Sequence, residues 1–159
     1  MSPLDSDSLG LPASGLPVLR DLIHDRAGLF YDDARMDILA ERIAPLVVER
    51  GFKSFLDLHY LLKYDVDDSD EMWRRVMDAL SVPETYFWRE IDQIRAVVCH
   101  VVPELLRRGA DVIRIWSAPC ATGEEPLTIA MALNEAGWFE RAAIEIRASD
   151  GSPGAIAKA

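Results

Sequence analysis

The hydrophobic positions in the first half of the chain follow the period of an amphipathic helix. Apolar residues recur three and four positions apart in four successive segments. The pattern predicts four helices, over residues 16–28, 32–50, 55–63 and 72–80. Ser54 is placed to cap the third of them. We therefore expect a small N-terminal all-helical domain over residues 16–80. Residues 1–15 are rich in Ser, Asp, Pro and Gly, which predicts a disordered tail.

The second half of the chain changes from helical periodicity to an alternation of strands and helices. Residues 81–91 predict a linker, after which a long helix is expected over residues 92–108. The pattern then predicts, in order, a strand at Val112–Ser117, a helix at Glu124–Ala136, a strand at Ile144–Ser149 and a helix opening at Ser152. This β-α-β order implies a parallel sheet with a right-handed crossover. Because parallel strands normally have several neighbours, we expect a chain truncated within its α/β domain, with self-association or a partner completing the sheet.

Composition and charge limit the kinds of partner that the protein is expected to bind. The 159 residues carry a formal net charge of −10. A nucleic acid would meet net repulsion, so we expect no nucleic-acid binding. The sequence has no signal-peptide pattern and no segment near the ~20 apolar residues of a membrane helix, and we expect a cytoplasmic protein without membrane insertion. Cys99, Cys120 and the three histidines lack metal-ligand spacing, which predicts reduced thiols and no metal site.

The stretch IRIWSAPCATGEE, residues 113–125, joins a predicted strand to a predicted helix. This is the position at which α/β proteins hold nucleotide-like ligands. A dinucleotide site needs Gly-x-Gly-x-x-Gly and a P-loop needs Gly-Lys-Ser/Thr, whereas this loop has one glycine, Gly123. Two carboxylates, Glu124 and Glu125, begin the helix and would repel a diphosphate. The loop chemistry therefore argues against phosphate ligands.

The same charges suit S-adenosylmethionine, which carries a sulfonium and an α-ammonium but only one carboxylate. Ala118 and the other small loop residues would let this ligand lie close to the backbone. Glu125 would meet the ammonium, and Asp150, at the end of the next strand, would accept hydrogen bonds from the ribose hydroxyls. A purely structural explanation stays open, because acidic residues also stabilise a helix N-terminus through its dipole.

Two separated motifs resemble a known family. The linker SVPETYFWRE and the loop IWSAPCATGEEPLTIAMAL, followed by ASDGSPGAIAKA, are similar to the chemotaxis receptor (protein-glutamate) O-methyltransferases of the CheR type. The resemblance covers residues 16–159. It implies an α + α/β fold, in which the helical domain is followed by the first β-α-β part of a Rossmann-like parallel-sheet methyltransferase domain over residues 92–159. The later strands of that domain have no counterpart in this sequence.

The resemblance also implies roles for individual residues. Thr85 and Arg89, in ETYFWRE, match linker residues that approach S-adenosylmethionine. Arg89 would face the methionine carboxylate, in a positioning role and not in acid–base chemistry. Glu125 matches the acid of the GEEP turn, and Asp150 matches the ribose-binding acid. Without the motif, an ordinary interdomain ion pair is the preferred explanation for Arg89.

The function implied is methylation of glutamate side chains on chemotaxis receptors, with S-adenosylmethionine as methyl donor and S-adenosylhomocysteine as product. The resemblance places the second helix near the substrate, where Arg35 and Arg42 would meet an acidic receptor helix or simply form a solvated face. A competing hypothesis is a catalytically incomplete fragment that binds receptor or cofactor without turnover. A helical interaction domain with an incidental β-α-β tail is a third hypothesis, and it predicts no cofactor binding.

Overall fold

A computed structural model describes residues 11, 12 and 14–159 of the chain. The chain divides into two compact units, with the boundary between Ser81 and Val82. Helices build the first unit, and the second contains a two-stranded parallel sheet with helices. This organisation confirms the predicted α + α/β fold class. Most of the predicted tail, residues 1–10 and 13, lies outside the described residues. Within the described part of the chain, no helix is long and apolar enough to cross a membrane.

Two of the helix ends in the first unit fall at signals that the sequence contains, whereas the second helix starts four residues later and the fourth three residues earlier than the pattern predicts. The helices are α1 Leu16–Ala27, α2 Met36–Glu49, α3 Phe55–Tyr64 and α4 Ser69–Leu80, with a 3₁₀ turn, Asp33–Arg35, leading into α2. Gly28 ends α1 in a left-handed conformation, with φ of 72°, and donates its N–H to the His24 carbonyl. Ser54 and Asp57 form a reciprocal capping box at the start of α3. Both ends are therefore fixed by local chemistry.

Side chains from all four helices form one hydrophobic core in this unit. Its fully buried members include Leu19, Ile23, Leu39, Ile43, Phe55, Leu58 and Val76. His59 on α3 is also buried, at 8% exposure, and its Nδ1 finds no hydrogen-bond partner among the described residues. Burial, together with the positive charge of Lys63, lowers the pKa of His59, because both disfavour the charged imidazolium. The fold therefore favours the neutral form of this imidazole.

After the linker, the second unit continues with a helical segment, which the sequence predicts as one α-helix. The segment consists of α5 Ile91–Ala96, a π-helical turn Val97–Val101 and α6 Val102–Arg107. At the π turn the Val98 carbonyl accepts a hydrogen bond from Trp138 Nε1 at 3.0 Å. The extent of the prediction is correct to within one residue. Its uniform α geometry is wrong over Val97–Val101, because hydrophobic periodicity does not resolve a single wider turn within an α-helix.

The β-α-β part of the second unit matches its prediction to within one residue at each end. Its elements are β1 Val112–Ser117, α7 Glu124–Glu135, β2 Ala143–Ala148 and a short α8 Pro153–Ile156. The two strands pair in parallel, with α7 as the crossover between them. One face of the sheet packs into the core of the unit through Ile113, Ile115, Ile144 and Ile146. On the opposite face, Trp116 is 73% exposed. The fold thereby brings the carboxyl ends of β1 and β2 to one edge.

Candidate functional site

The strand pairing continues past the carboxyl ends of β1 and β2 into the loops that follow them. The Ser149 N–H donates to the Ser117 carbonyl at 3.1 Å, and the Cys120 N–H donates to the Ser149 carbonyl at 2.9 Å. These bonds hold the loop after β1 against the loop after β2. Ala118, which the sequence predicts to leave room for a ligand, is exposed at this edge. Its peptide bond to Pro119 is cis.

Asp150 joins the two loops through both oxygens of its carboxylate. Oδ2 accepts the Ala121 N–H at 2.8 Å, and Oδ1 accepts the Ser152 N–H at 2.8 Å. Ala121 has a φ of 46°, a left-handed conformation that a residue with a Cβ rarely adopts. The bond from Asp150 therefore stabilises an unfavourable loop conformation. Because an ionised carboxylate has about four acceptor sites, acceptor capacity is left for the hydroxyl groups of a ligand.

The first turn of α7 carries two carboxylates, and hydroxyl groups hold both. Glu125 Oε1 accepts a hydrogen bond from Ser117 Oγ at 2.6 Å. Glu124 Oε2 accepts one from Thr122 Oγ1 at 2.6 Å. Glu125 is thereby tied to the last residue of β1, at the edge where Asp150 lies. A diphosphate bound to the N-terminus of α7 would meet both negative charges, so the arrangement disfavours the phosphate ligands common to such loops.

The electrostatic environment of this edge acts on Cys120, whose side chain is buried at 1% exposure. Burial raises the pKa of the Cys120 thiol, and the negative charges of Asp150 and Glu125 raise it further. Burial disfavours a charge of either sign, whereas the contribution of Asp150 and Glu125 to this shift is a negative potential, which favours a cation. S-Adenosylmethionine brings two cationic groups, its sulfonium and its ammonium. The charges present at the edge therefore fit this cofactor.

The linker ahead of α5 folds back on itself around Arg89. The Arg89 guanidinium donates to the Glu84 carbonyl and lies 5.7 Å from the centroid of the Tyr86 ring. Both sequence neighbours of Arg89 have positive φ, 65° at Trp88 and 52° at Glu90. Such conformations cost about 1–2 kcal/mol each for residues with a Cβ. They persist only where the surrounding structure holds them in place.

Thr128 on α7 supplies part of that support, although the sequence motifs do not single it out. The side chain is 1% exposed. Its Oγ1 accepts the Trp88 N–H at 3.2 Å and donates to the Glu124 carbonyl at 2.6 Å. A helical threonine often bonds the carbonyl four residues earlier, so the second contact has a sequence signal. The contact with Trp88 has none, because it joins residues 40 positions apart.

The structure places the predicted site residues in two groups. All five predicted cofactor contacts belong to the second unit, and Thr85 among them is half-buried in the linker. Arg35 and Arg42 belong to the helical unit. Arg35 is exposed at the end of the 3₁₀ turn, whereas the half-buried Arg42 donates from Nη1 to the Leu80 carbonyl at 3.1 Å. Arg42 thus has a contact within its own unit. No cluster of three or more His, Cys, Asp or Glu able to hold a metal ion occurs in the described part of the chain.

Comparison with known proteins gives relatives over most of this chain. Chemotaxis protein methyltransferase 2 of Vibrio cholerae is 36% identical over 143 residues, which are 88% of this chain and 49% of the relative. The chemotaxis protein methyltransferase of Escherichia coli is 29% identical over 80% of this chain and 42% of its own length. A probable biofilm formation methyltransferase, WspC of Pseudomonas putida, is 30% identical over 86% of this chain and 31% of its own length. The chain spans about half the length of the first of these relatives and less of the others.

Two family models match adjoining parts of the chain. Residues 15–81 match the all-alpha domain of CheR methyltransferases, and residues 83–159 match the SAM binding domain of the same family. The second match confirms S-adenosylmethionine as the cofactor of this kind of domain. Because the two matches follow one another in the family's order and leave only Val82 between them, the chain belongs to the CheR methyltransferase family.

Proposed function

We propose that the protein transfers the methyl group of S-adenosylmethionine to glutamate side chains of chemotaxis receptors. The observation that carries the proposal is the placement of Glu125 and Asp150 at the shared carboxyl edge of β1 and β2, around a loop of small residues. Glu125, with Glu124 beside it in the first turn of α7, favours a cationic ligand over a phosphate one, and Asp150 offers acceptor sites to a ribose. The names of the relatives, chemotaxis protein methyltransferases, support the choice of receptor substrates.

Each residue of the proposed site has a role that its chemistry allows. Asp150 accepts hydrogen bonds from the ribose hydroxyls with the acceptor sites that Ala121 and Ser152 leave open. Glu125 binds the ammonium of the methionine portion, and Arg89 binds its carboxylate. Thr85 contacts the cofactor from the linker. The main role of Ala118 is to be small, so that the ligand approaches the backbone of the loop.

The reaction needs positioning more than it needs acid–base groups. A receptor glutamate with a pKa near ~4.3 is already ionised at neutral pH, so no general base is required. The bound cofactor supplies a methyl group on a positively charged sulfur; a carboxylate oxygen bonds to that methyl as its bond to sulfur breaks, which yields a methyl ester and a neutral thioether. Two opposite charges disappear in this step, and a site with little water favours it. Arg89 and the two acids therefore act by alignment.

The helical unit is the proposed receptor-facing part of the protein. Arg35 is exposed ahead of α2 and is available to an acidic helix. Arg42 is half-buried, and one of its nitrogens already donates to Leu80. An arginine has five N–H donors, so this contact leaves donors for a receptor carboxylate. On this proposal, replacing Arg35 weakens receptor binding, whereas replacing Arg42 also weakens the end of α4.

A methyl-transfer assay with radiolabelled S-adenosylmethionine and receptor membranes tests the proposed function. The full-length protein is expected to label receptor glutamates as base-labile methyl esters, and the Glu125→Gln and Arg89→Ala variants to lose most of that activity. Glu145→Gln and Arg95→Ala are matched controls, since Glu145 pairs with Arg114 and Arg95 with Asp92, in both cases on an exposed surface. Cofactor binding without any transfer would instead support a binding protein without turnover. Absence of both would refute the proposal.

A further inference from the structure

The methionine portion of the proposed cofactor sets a strict geometric demand on this site. Its ammonium and its carboxylate are attached to the same carbon atom, so the groups that bind them must be held at a fixed separation. In the proposed function those groups are Glu125 and Arg89. Glu125 is in the first turn of α7, which fixes its backbone. Arg89 is in the linker, outside any helix or strand, and needs another means of being fixed.

Among the described residues, two hydrogen bonds to one hydroxyl group join the backbone beside Arg89 to the first turn of α7. The Trp88 N–H donates to Thr128 Oγ1 at 3.2 Å, and the same hydroxyl donates to the Glu124 carbonyl at 2.6 Å. A single oxygen atom thereby links the residue before Arg89 to the residue before Glu125. The link lies in the interior of the unit, since Thr128 is 1% exposed.

We propose that Thr128 is a positioning residue that sets the place of Arg89 relative to Glu125, and through it the fit of the methionine portion of S-adenosylmethionine. This inference rests on the proposed function. Trp88 is held at φ 65°, and a residue with a Cβ relaxes from this conformation when its support is removed. Without the hydroxyl, the Trp88 N–H also loses its partner and would turn toward water. Both effects move Arg89 and leave Asp150 in place.

Three substitutions of Thr128 distinguish the effect of its hydroxyl group from the effect of its side-chain shape. Thr128→Val keeps the shape and removes the hydroxyl, whereas Thr128→Ser keeps the hydroxyl and removes the methyl group. Thr128→Ala deletes the hydroxyl without a second branch, in case valine disturbs folding. Ser81→Ala is the matched control, because Ser81 Oγ also donates to the carbonyl four residues earlier, that of Met77, at 2.7 Å in the helical unit.

The readout is the affinity of the full-length protein for two ligands that differ only in the amino-acid portion. S-Adenosylhomocysteine contains it, and 5′-methylthioadenosine lacks it. Calorimetry is expected to show that Thr128→Val and Thr128→Ala lower the affinity for S-adenosylhomocysteine about tenfold. This is the effect expected for the loss of one buried hydrogen bond that supports a binding site. The affinity for 5′-methylthioadenosine is expected to stay within about twofold of wild type, because Asp150 is unchanged. Thr128→Ser and Ser81→Ala are expected to bind both ligands as wild type does.

Other outcomes overturn the inference in ways that can be told apart. An equal loss of affinity for both ligands would show that Thr128 supports the fold in general. Unchanged affinity for both would show that cofactor binding does not need the link through Thr128. A Thr128→Ser variant that binds like Thr128→Val would show that the hydroxyl is not the acting group. In each of these cases wild type still binds S-adenosylhomocysteine and the proposed function stands. A wild-type protein that binds neither ligand refutes the proposed function and the positioning role together.

Discussion

Replacing Asp150 tests whether one carboxylate both holds the two loops and binds the cofactor. Asp150→Ala removes two bonds of 2.8 Å from backbone N–H groups to a charged oxygen. Such bonds contribute about 1.5–3 kcal/mol each when buried, and Asp150 is half-buried, so the low end applies. Part of this loss is offset because Ala121, at φ 46°, relaxes from a conformation that costs about 1–2 kcal/mol. The net cost to the second unit is then about 1–2 kcal/mol, or roughly 4–16 °C in its melting temperature.

The conservative variant Asp150→Asn tests how much of that loss of stability each carboxylate oxygen accounts for. Asp150→Asn keeps the shape but offers one acceptor oxygen in place of two, and is expected to lose about half as much stability. Glu145→Gln on β2 is the matched control, since Glu145 pairs with Arg114 at 3.3 Å on an exposed surface and contributes little. Thermal unfolding followed by circular dichroism measures stability. Calorimetry with S-adenosylhomocysteine measures binding, which Asp150→Ala should weaken about 100-fold through loss of the ribose bonds. Wild-type stability and affinity in Asp150→Ala would refute the assigned role.

Three further predictions concern single features of the two units. His59→Leu should raise the free energy of unfolding by about 1 kcal/mol in urea titrations by removing the unpaired nitrogen. The pKa of His59 is lowered in the fold, so its neutral form contributes stability that is present above the ordinary pKa of 6.5 and lost as the pH falls through the lowered pKa. His59→Leu should abolish this pH dependence of the free energy of unfolding. An unchanged pH profile would contradict the account. Iodoacetamide should alkylate the exposed Cys99 well before the buried Cys120, whose raised thiol pKa leaves less thiolate, whereas equal rates by mass spectrometry would contradict the described burial. Ser54→Ala should cost about 1 kcal/mol in the same urea titrations through loss of the capping box, and no change would show that α3 begins without it.

The sequence predicts features that depend on neighbouring residues along the chain. The bounds of β1 and the caps at Gly28 and Ser54 follow from periodicity and from residue types with strong local preferences. The strand order follows from the β-α-β alternation and the handedness of crossovers. In the site, the meeting of Glu125 and Asp150 at one edge follows from the same parallel order.

Features that depend on distant contacts could not be read in this way. Trp88 and Glu90 are residues that rarely adopt positive φ, so their left-handed conformations have no local signal. The partner of Arg42, the Leu80 carbonyl, lies 38 positions away. The sequence predicts that Asp150 binds a ligand, but it gives no signal for the bond from Asp150 to Ala121 across 29 positions. Tertiary packing decides these contacts, and no pattern within a short window of sequence encodes them.

Selectivity among nucleotide-like ligands tests the central claim most directly, because the claim rests on the carboxylates Glu124, Glu125 and Asp150 at the carboxyl edge of β1 and β2. Calorimetric titration of the full-length protein with S-adenosylmethionine, ADP and NAD compares a cationic nucleoside with two phosphate ligands under the same conditions. We predict saturable binding of S-adenosylmethionine and no measurable binding of ADP or NAD, since Glu124 and Glu125 would repel a diphosphate at the start of α7. Binding of ADP or NAD as tight as that of S-adenosylmethionine would contradict the account.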